Sequence, residues 1–229
     1  MTSKRVLKKL VEDGSVRGWD DPRLYTLCGI RRRGIPAEAV LAFINELGVS
    51  TAWSEILVSK FEASVRKYLE HRTPRLMMVL DPLEVVIEDL VEPMDLCVTL
   101  GKDERKVTLT KTVFVEKSDW RDEDEEGYYR LAPGKVVGLM GAPHPVRVVG
   151  WTKDKIRVVF EKEEKPRTYI HWVGKGGEKV EARVCDEEGE KVYAALVEGM
   201  EERFQAVRVG YFVSVIWGRD ANMFGCGLT

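Results

Sequence analysis

The feature that most constrains this chain is a change of period near residue 75. Before it, apolar residues recur every three or four positions; after it, they alternate in short β-branched runs broken by Pro, Gly and charge clusters. A helix buries one stripe and a strand buries one face, so the two stretches cannot be built from the same element. The first part therefore reads as helices and the second as a strand-rich region.

Four segments carry the helical period. In "SKRVLKKLVEDG" Val6, Leu7, Leu10 and Val11 share a face, and Gly14 stands just past the end. In "WDDPRLYTLCGIRRRG" the spacing predicts Asp21 as N-cap, Pro22 at the first helical position and Arg31, Arg32 and Arg33 in the last turn, with Gly34 as the stop. "PAEAVLAFINELG" starts at Pro36 and places Val40, Leu41, Ile44 and Leu47 in a stripe. "SEILVSKFEASVRKYLEHR" is the longest, with Leu57, Phe61, Val65, Tyr68 and Leu69 at helical spacing.

From residue 75 the strand-like runs are "RLMMVL", "LEVVIED", "RKVTLTKTVFVEK", "GKVVGLM", "VRVVGW", "KIRVVFEK", "RTYIHWV", "KVEARVCD" and "RFQAVRVGYFVSVIW". Repeated strands without intervening amphipathic helices argue for a barrel or sandwich and against a parallel α/β sheet. "SDWRDEDEEG" (118–127) reads as a solvated acidic loop.

Charge divides at the same place. The net charge is −2, yet residues 1–75 hold 14 Lys+Arg against 9 Asp+Glu and the remainder 22 against 29. Only the first part has a bulk attraction for polyanions. Cys28, Cys97, Cys185 and Cys226 are scattered without a CxxC pair, as a reducing cytosol tolerates, and His71, His144 and His171 have no partner pattern. No metal-ligand spacing, Gly-rich phosphate loop or nucleophile elbow is present, and no apolar run approaches the roughly 20 residues that span a bilayer. The sequence candidates are Ser3 and Lys4 for a phosphate, the arginine cluster 31–33 with Arg17 and Arg23 nearby, and Arg75, Arg130, Gln205 and Arg208 on the strands.

Several strings together carry a resemblance. "VRGWDDPRLYTLCGIRRRGIPAEAVLAFINELGVS", "FEASVRKYLEHRTPRLMMVLDPLEVVIE", "DWRDED…YYRLAPGKVVGL", "RTYIHWV" and "RFQAVRVGYF" resemble, in the same order, the C-terminal part of glutaminyl-tRNA synthetases of eukaryotic and especially fungal type, from the KMSKS loop onward. The resemblance covers about residues 2–213. It implies an α+β chain: a helical stem-contact segment with the end of the catalytic region at 1–74, then an all-β anticodon-binding region of two β-barrels at 75–229, the distal barrel at about 115–185. "MTSKR" is similar to the family's "MSKR", with Thr2 in the methionine position. Ser3 and Lys4 would then face the ATP phosphates, Lys4 stabilising charge on the departing pyrophosphate. Arg75, Arg130, Gln205 and Arg208 would read the anticodon, and Arg31, Arg32 and Arg33 would neighbour the tRNA backbone. The implied partners are tRNA(Gln), with glutamine, ATP and Mg2+ in the intact enzyme. The chain is expected to be cytoplasmic, monomeric and without a membrane anchor. A stand-alone tRNA-binding module, a glutamyl-tRNA synthetase and a protein-binding barrel pair are the rival readings. The family's connection before the final strands is shortened here, and its usual last strand is replaced by "VSVIWGRDANMFGCGLT".

On this reading the upstream half with the HIGH motif is not part of the chain. The purified 229-residue chain is expected to show no ATP–pyrophosphate exchange with glutamine and tRNA; robust exchange would contradict the expectation.

Overall fold

The computed structural model describes residues 3–49, 51, 55–186, 189–217 and 220–226. It divides into two compact units, one of Met1–Pro74, Ala182–Val192 and Glu201–Thr229, the other of Arg75–Glu181 and Tyr193–Met200. The described α-helices are α1 (Lys4–Glu12), α2 (Leu27–Arg32), α3 (Ala37–Leu47) and α4 (Val58–Leu69), all ahead of the strands, and one 3-10 turn (Lys117–Asp119) follows β6. The order β1 (Arg75–Leu76), β2 (Met78–Leu80), β3 (Pro82–Ile87), β4 (Met94–Leu100), β5 (Asp103–Leu109), β6 (Thr112–Glu116), β7 (Val136–Leu139), β8 (Val146–Thr152), β9 (Lys155–Phe160), β10 (Tyr169–Ile170) and β11 (Val173–Gly174) follows. Then come β12 (Glu178–Asp186), β13 (Gly189–Val197), β14 (Arg203–Ala206), β15 (Gly210–Trp217) and β16 (Asp220–Cys226). Helices followed by strands is the α+β order that the change of period predicts.

In the first unit the main core gathers Ile30 and Ile35, Ala39 and Phe43 of α3, Phe61, Val65 and Leu69 of α4, and Tyr211 of β15. Phe61 meets Phe43 edge-on with ring centroids 5.1 Å apart and Tyr25 at 6.3 Å. A smaller cluster joins Leu7 of α1 to Val16 and Leu24, with Leu10 and Val11 packed against it. The α4 stripe is thus as spaced, except that Leu57 is exposed. On α3 the buried pair is Ala39 and Phe43, while Leu41 and Ile44 are more than half exposed. Val40 and Leu47 of the expected stripe do pack against this core, so the buried edge is rotated towards Ala39 and Phe43 and leaves Leu41 and Ile44 outside, the large ring of Phe43 going in.

The turn at Asp21 also differs from expectation. Asp21 caps no helix: α2 starts later, with the Thr26 hydroxyl accepting from the Gly29 N–H. The Asp21 carboxylate instead accepts from the backbone N–H groups of Arg17 and Arg23, and from Nε and Nη2 of Arg23 at 2.9 and 2.8 Å. Asp and Pro form tight turns as readily as caps, and a paired Arg two residues on decides for the turn. Gly34 ends α2 as predicted, with φ +81°, and the Val213 side chain occupies the space a Cβ would need there. Any other residue at 34 meets both strain and overlap.

In the second unit a mixed sheet runs β10-β7-β8-β9-β3-β6-β11, with β10·β7 and β3·β9 parallel. β4 and β5 form a separate hairpin. Alternation sets the register: Val85 and Ile87 on β3, Val113 and Val115 on β6, and Ile156 and Val158 on β9 are fully buried. Outward, Glu84 faces Lys155 across the β3·β9 pair and bonds it at 2.8 Å. β4, β13 and β16 are strands beyond the sequence-predicted runs; their segments "MDLCVTL", "GEKVYAALV" and "DANMFGC" lack a dense β-branched run. The tail after Phe212 continues β15 and returns as β16 in an antiparallel pair.

Phe61→Ala is expected to destabilise the chain by about 3–5 kcal/mol in urea unfolding and Leu41→Ala by less than about 0.5 kcal/mol; similar losses would contradict the α3 orientation. Burial raises the pKa of Asp21, but the hydrogen bonds from Arg23, then those from the Arg17 and Arg23 backbone, outweigh it and hold the carboxyl well below the ordinary range. With the folded value below the unfolded value of about 3.9, this stabilisation is full above that pH and is lost as pH falls below it. The stability gap between the native chain and Asp21→Asn should narrow as pH falls from about 5 towards 2; a constant gap would contradict the assignment.

Candidate nucleic-acid interface

The five arginines of residues 17–33 do not act as one basic face. A guanidinium removed from water needs an acceptor or a π-face, and most of these have found one. Arg17 pairs with Glu190, which Arg183 also approaches at 3.4 Å. Arg23 is committed to Asp21 and Arg32 to Asp20. Arg33 is buried, only 6% exposed, with Nη2 3.6 Å from Glu62 of α4 and its guanidinium 5.0 Å from the Tyr25 ring centroid. The Tyr25 hydroxyl also donates to Glu62; burial, then this bond, pushes the phenol pKa up. Arg31 is exposed and has no ion pair among the described residues. Of the triple arginine, Arg33 holds α2 against α4, Arg32 is tied to the preceding loop, and Arg31 is turned to solvent.

At the chain start, Ser3 precedes α1 without a side-chain capping bond, and Lys4 is the first helical residue; both are exposed. Thr2, which completes the KMSKS-like string, lies outside the described residues.

On the strands, Arg75 is half-buried in β1. Its backbone N–H donates to Asp103 Oδ2 at 2.9 Å and its carbonyl accepts from Arg105 Nε at 3.3 Å. The Arg75 guanidinium lies over Gly101, where φ is +69° and a Cβ would overlap it. Glycine there leaves the guanidinium its bed. Arg130 pairs at 2.7 Å with Asp119, which is fully buried, while the arginine side chain stays 42% exposed. Asp119 is therefore not part of the solvated loop; it anchors Arg130, whereas residues 121–127 are exposed. Gln205 sits half-buried on β14, its N–H donating to the Pro74 carbonyl at 2.8 Å. Arg208 is exposed in the turn to β15 with φ +66°, a conformation costing a non-glycine residue about 1 kcal/mol. Gln205 and Arg208 share the first unit with Ser3, Lys4 and Arg31–Arg33; Arg75 and Arg130 share the second.

Periodicity did not single out Tyr129, Lys165 and Arg167, which line a cleft in the second unit. Their signal was the basic and aromatic content of "YYRL" and "KPRTY", which alternation alone assigns to ordinary outward positions. Among the described residues no group of three or more His, Cys, Asp or Glu is placed to hold a metal ion, and no helix is long and apolar enough to cross a membrane.

Two family models match in succession. Residues 1–71 match the catalytic domain of class I tRNA synthetases (E and Q), and residues 73–160 match the anti-codon binding domain of the same class. Among curated proteins the chain is 50% identical over 195 residues to the glutamine–tRNA ligase protein virJ of Hypocrea virens, covering 80% of this chain and 30% of that protein. It is 43% identical over 192 residues to the Saccharomyces cerevisiae glutamine–tRNA ligase and 39% over 189 to that of Mus musculus, covering 75% and 76% of this chain and 24% of each relative. The chain thus spans about a quarter to a third of the length of the relatives it matches. With both models in order and a fold of N-terminal helices and a strand-rich remainder, the chain belongs to the class I glutamyl- and glutaminyl-tRNA synthetase family.

Proposed function

We propose that this chain is the tRNA-binding, anticodon-recognising portion of a glutamine–tRNA ligase. The observation that carries the reading is the match of residues 73–160 to the anti-codon binding domain, directly after a match to the catalytic domain. In the intact enzyme the activity would be the ATP-dependent joining of glutamine to tRNA(Gln), in the cytoplasm. Residues 1–74 would contact the stem and 75–229 the anticodon.

The exposure and chemistry of the candidate residues support this reading. Lys4 is exposed at the start of α1, where an ammonium can meet a nucleotide phosphate, and Ser3 beside it can donate a hydroxyl. Arg31 is the exposed member of the triple arginine, which suits a phosphate contact. Arg75, Arg130, Gln205 and Arg208 carry donor-rich side chains that suit unstacked bases and the backbone of a loop. Arg130 is pre-oriented by buried Asp119, so little side-chain freedom is lost on binding.

Binding of tRNA(Gln) by the purified chain should weaken steeply with salt, and Arg31→Ala should reduce the salt slope by about one. Arg33→Ala should instead lower stability. An affinity indifferent to salt would exclude a phosphate-dominated interface. Arg208→Gly should relieve the left-handed strain and keep or raise stability while lowering tRNA affinity about tenfold; unchanged affinity would remove Arg208 from the site.

A further inference from the structure

The second unit holds an open cleft of about 380 Å³ whose wall includes Asp124, Tyr129, Lys135, Glu164, Lys165 and Arg167. Its volume is that of a small-ligand site. Tyr129 is 44% exposed in it. The Arg167 guanidinium stands 5.2 Å from the ring centroid and the Lys135 ammonium 5.9 Å, both within cation–π range.

The charges around the ring are not balanced. Lys135 is engaged by Asp124 at 3.0 Å and by the Tyr128 carbonyl at 2.9 Å. Glu164 is engaged by Arg147 at 2.8 Å. Arg147 is shared with Glu161, and the cleft wall itself sets the carboxylates of Asp124 and Glu164 against the cations of Lys135, Lys165 and Arg167. Arg167 and Lys165 have no carboxylate partner among the described residues, so the cleft combines an exposed aromatic face with uncompensated positive charge. A planar π-system with an anionic tail satisfies both, and an unpaired nucleotide is such a ligand.

We propose that Tyr129 and Arg167 form a stacking seat for one unpaired nucleotide of the anticodon loop, with Lys165 beside its phosphate. This rests on the tRNA-binding reading and adds to it a site that holds a base without reading its identity. Every base has a π-face, whereas the donors of the cleft are cationic side chains that suit a phosphate better than a particular base edge. The seat supplies affinity and fixes the loop, and the arginines and Gln205 carry the discrimination.

The test uses the full chain and tRNA(Gln) transcripts with 2-aminopurine placed at one anticodon-loop position at a time. The wild-type chain should quench one position; Tyr129→Ala should abolish that quenching and weaken tRNA binding about tenfold, and Tyr129→Phe should retain both. The affinity loss in Tyr129→Ala should be the same whichever of the four bases stands at that position. Circular dichroism and urea unfolding establish that each variant is folded. Quenching that survives Tyr129→Ala, a loss equal in Tyr129→Phe, or a loss that depends on the base would each overturn the seat while leaving tRNA binding intact. A wild-type chain that binds no tRNA would instead overturn the functional reading and the seat with it.

Discussion

Arg33 is the constraint around which the helical core is organised. A guanidinium that is almost wholly buried must be matched by acceptors and a π-face, because an unmatched one costs several kcal/mol. Glu62 on α4, 3.6 Å from Nη2 of Arg33, and the ring of Tyr25 stand against it, and Tyr25 in turn packs edge-on against Phe61. Those contacts set where α2 meets α4 and bring Phe61 against Phe43 of α3. The second unit uses the same device with the signs exchanged: a fully buried carboxylate, Asp119, fixes the partly exposed guanidinium of Arg130. In one unit buried charge aligns helices, and in the other it aims a side chain at solvent.

This pairing separates structural cations from available ones. Residues 1–75 carry an excess of five positive charges, yet Arg17, Arg23, Arg32 and Arg33 are each opposed by a carboxylate. A polyanion would meet the remainder, such as Lys4 and Arg31, and in the other unit Lys165 and Arg167. Counterion release depends on charges that are free to approach phosphate, so the composition of the basic region overstates its reach.

Much of the fold was legible because one period rules each part. Gly34, the α4 stripe of Phe61, Val65 and Leu69, and alternation along β3, β6 and β9 follow from spacing alone. Asp21 did not, because capping and turn formation use the same short carboxylate and the choice rests on a bidentate bond from Arg23. Leu41 and Ile44 misled because α3 has apolar residues on more than one edge, and the edge that goes in is the one carrying Ala39 and Phe43, flanked by Val40 and Leu47. β13 was missed because "GEKVYAALV" has charges and alanines where a strand signal needs branched residues. The candidate site was legible as a set of residue types, and the family resemblance supplied the roles proposed for them. Neither could show that Arg33 lies inside, or that Tyr129 and Arg167 share a cleft, since both facts arise from contacts between distant segments.

Uptake of an anticodon by the strand-rich part of this chain is what the proposed function requires. The most direct measurement compares the chain's equilibrium affinity for tRNA(Gln) with that for the same tRNA carrying substituted anticodon bases, at one fixed salt concentration. Anticodon recognition predicts a clear loss for the substituted tRNAs, on the order of tenfold for each base that is read. Equal affinities across the series would contradict it.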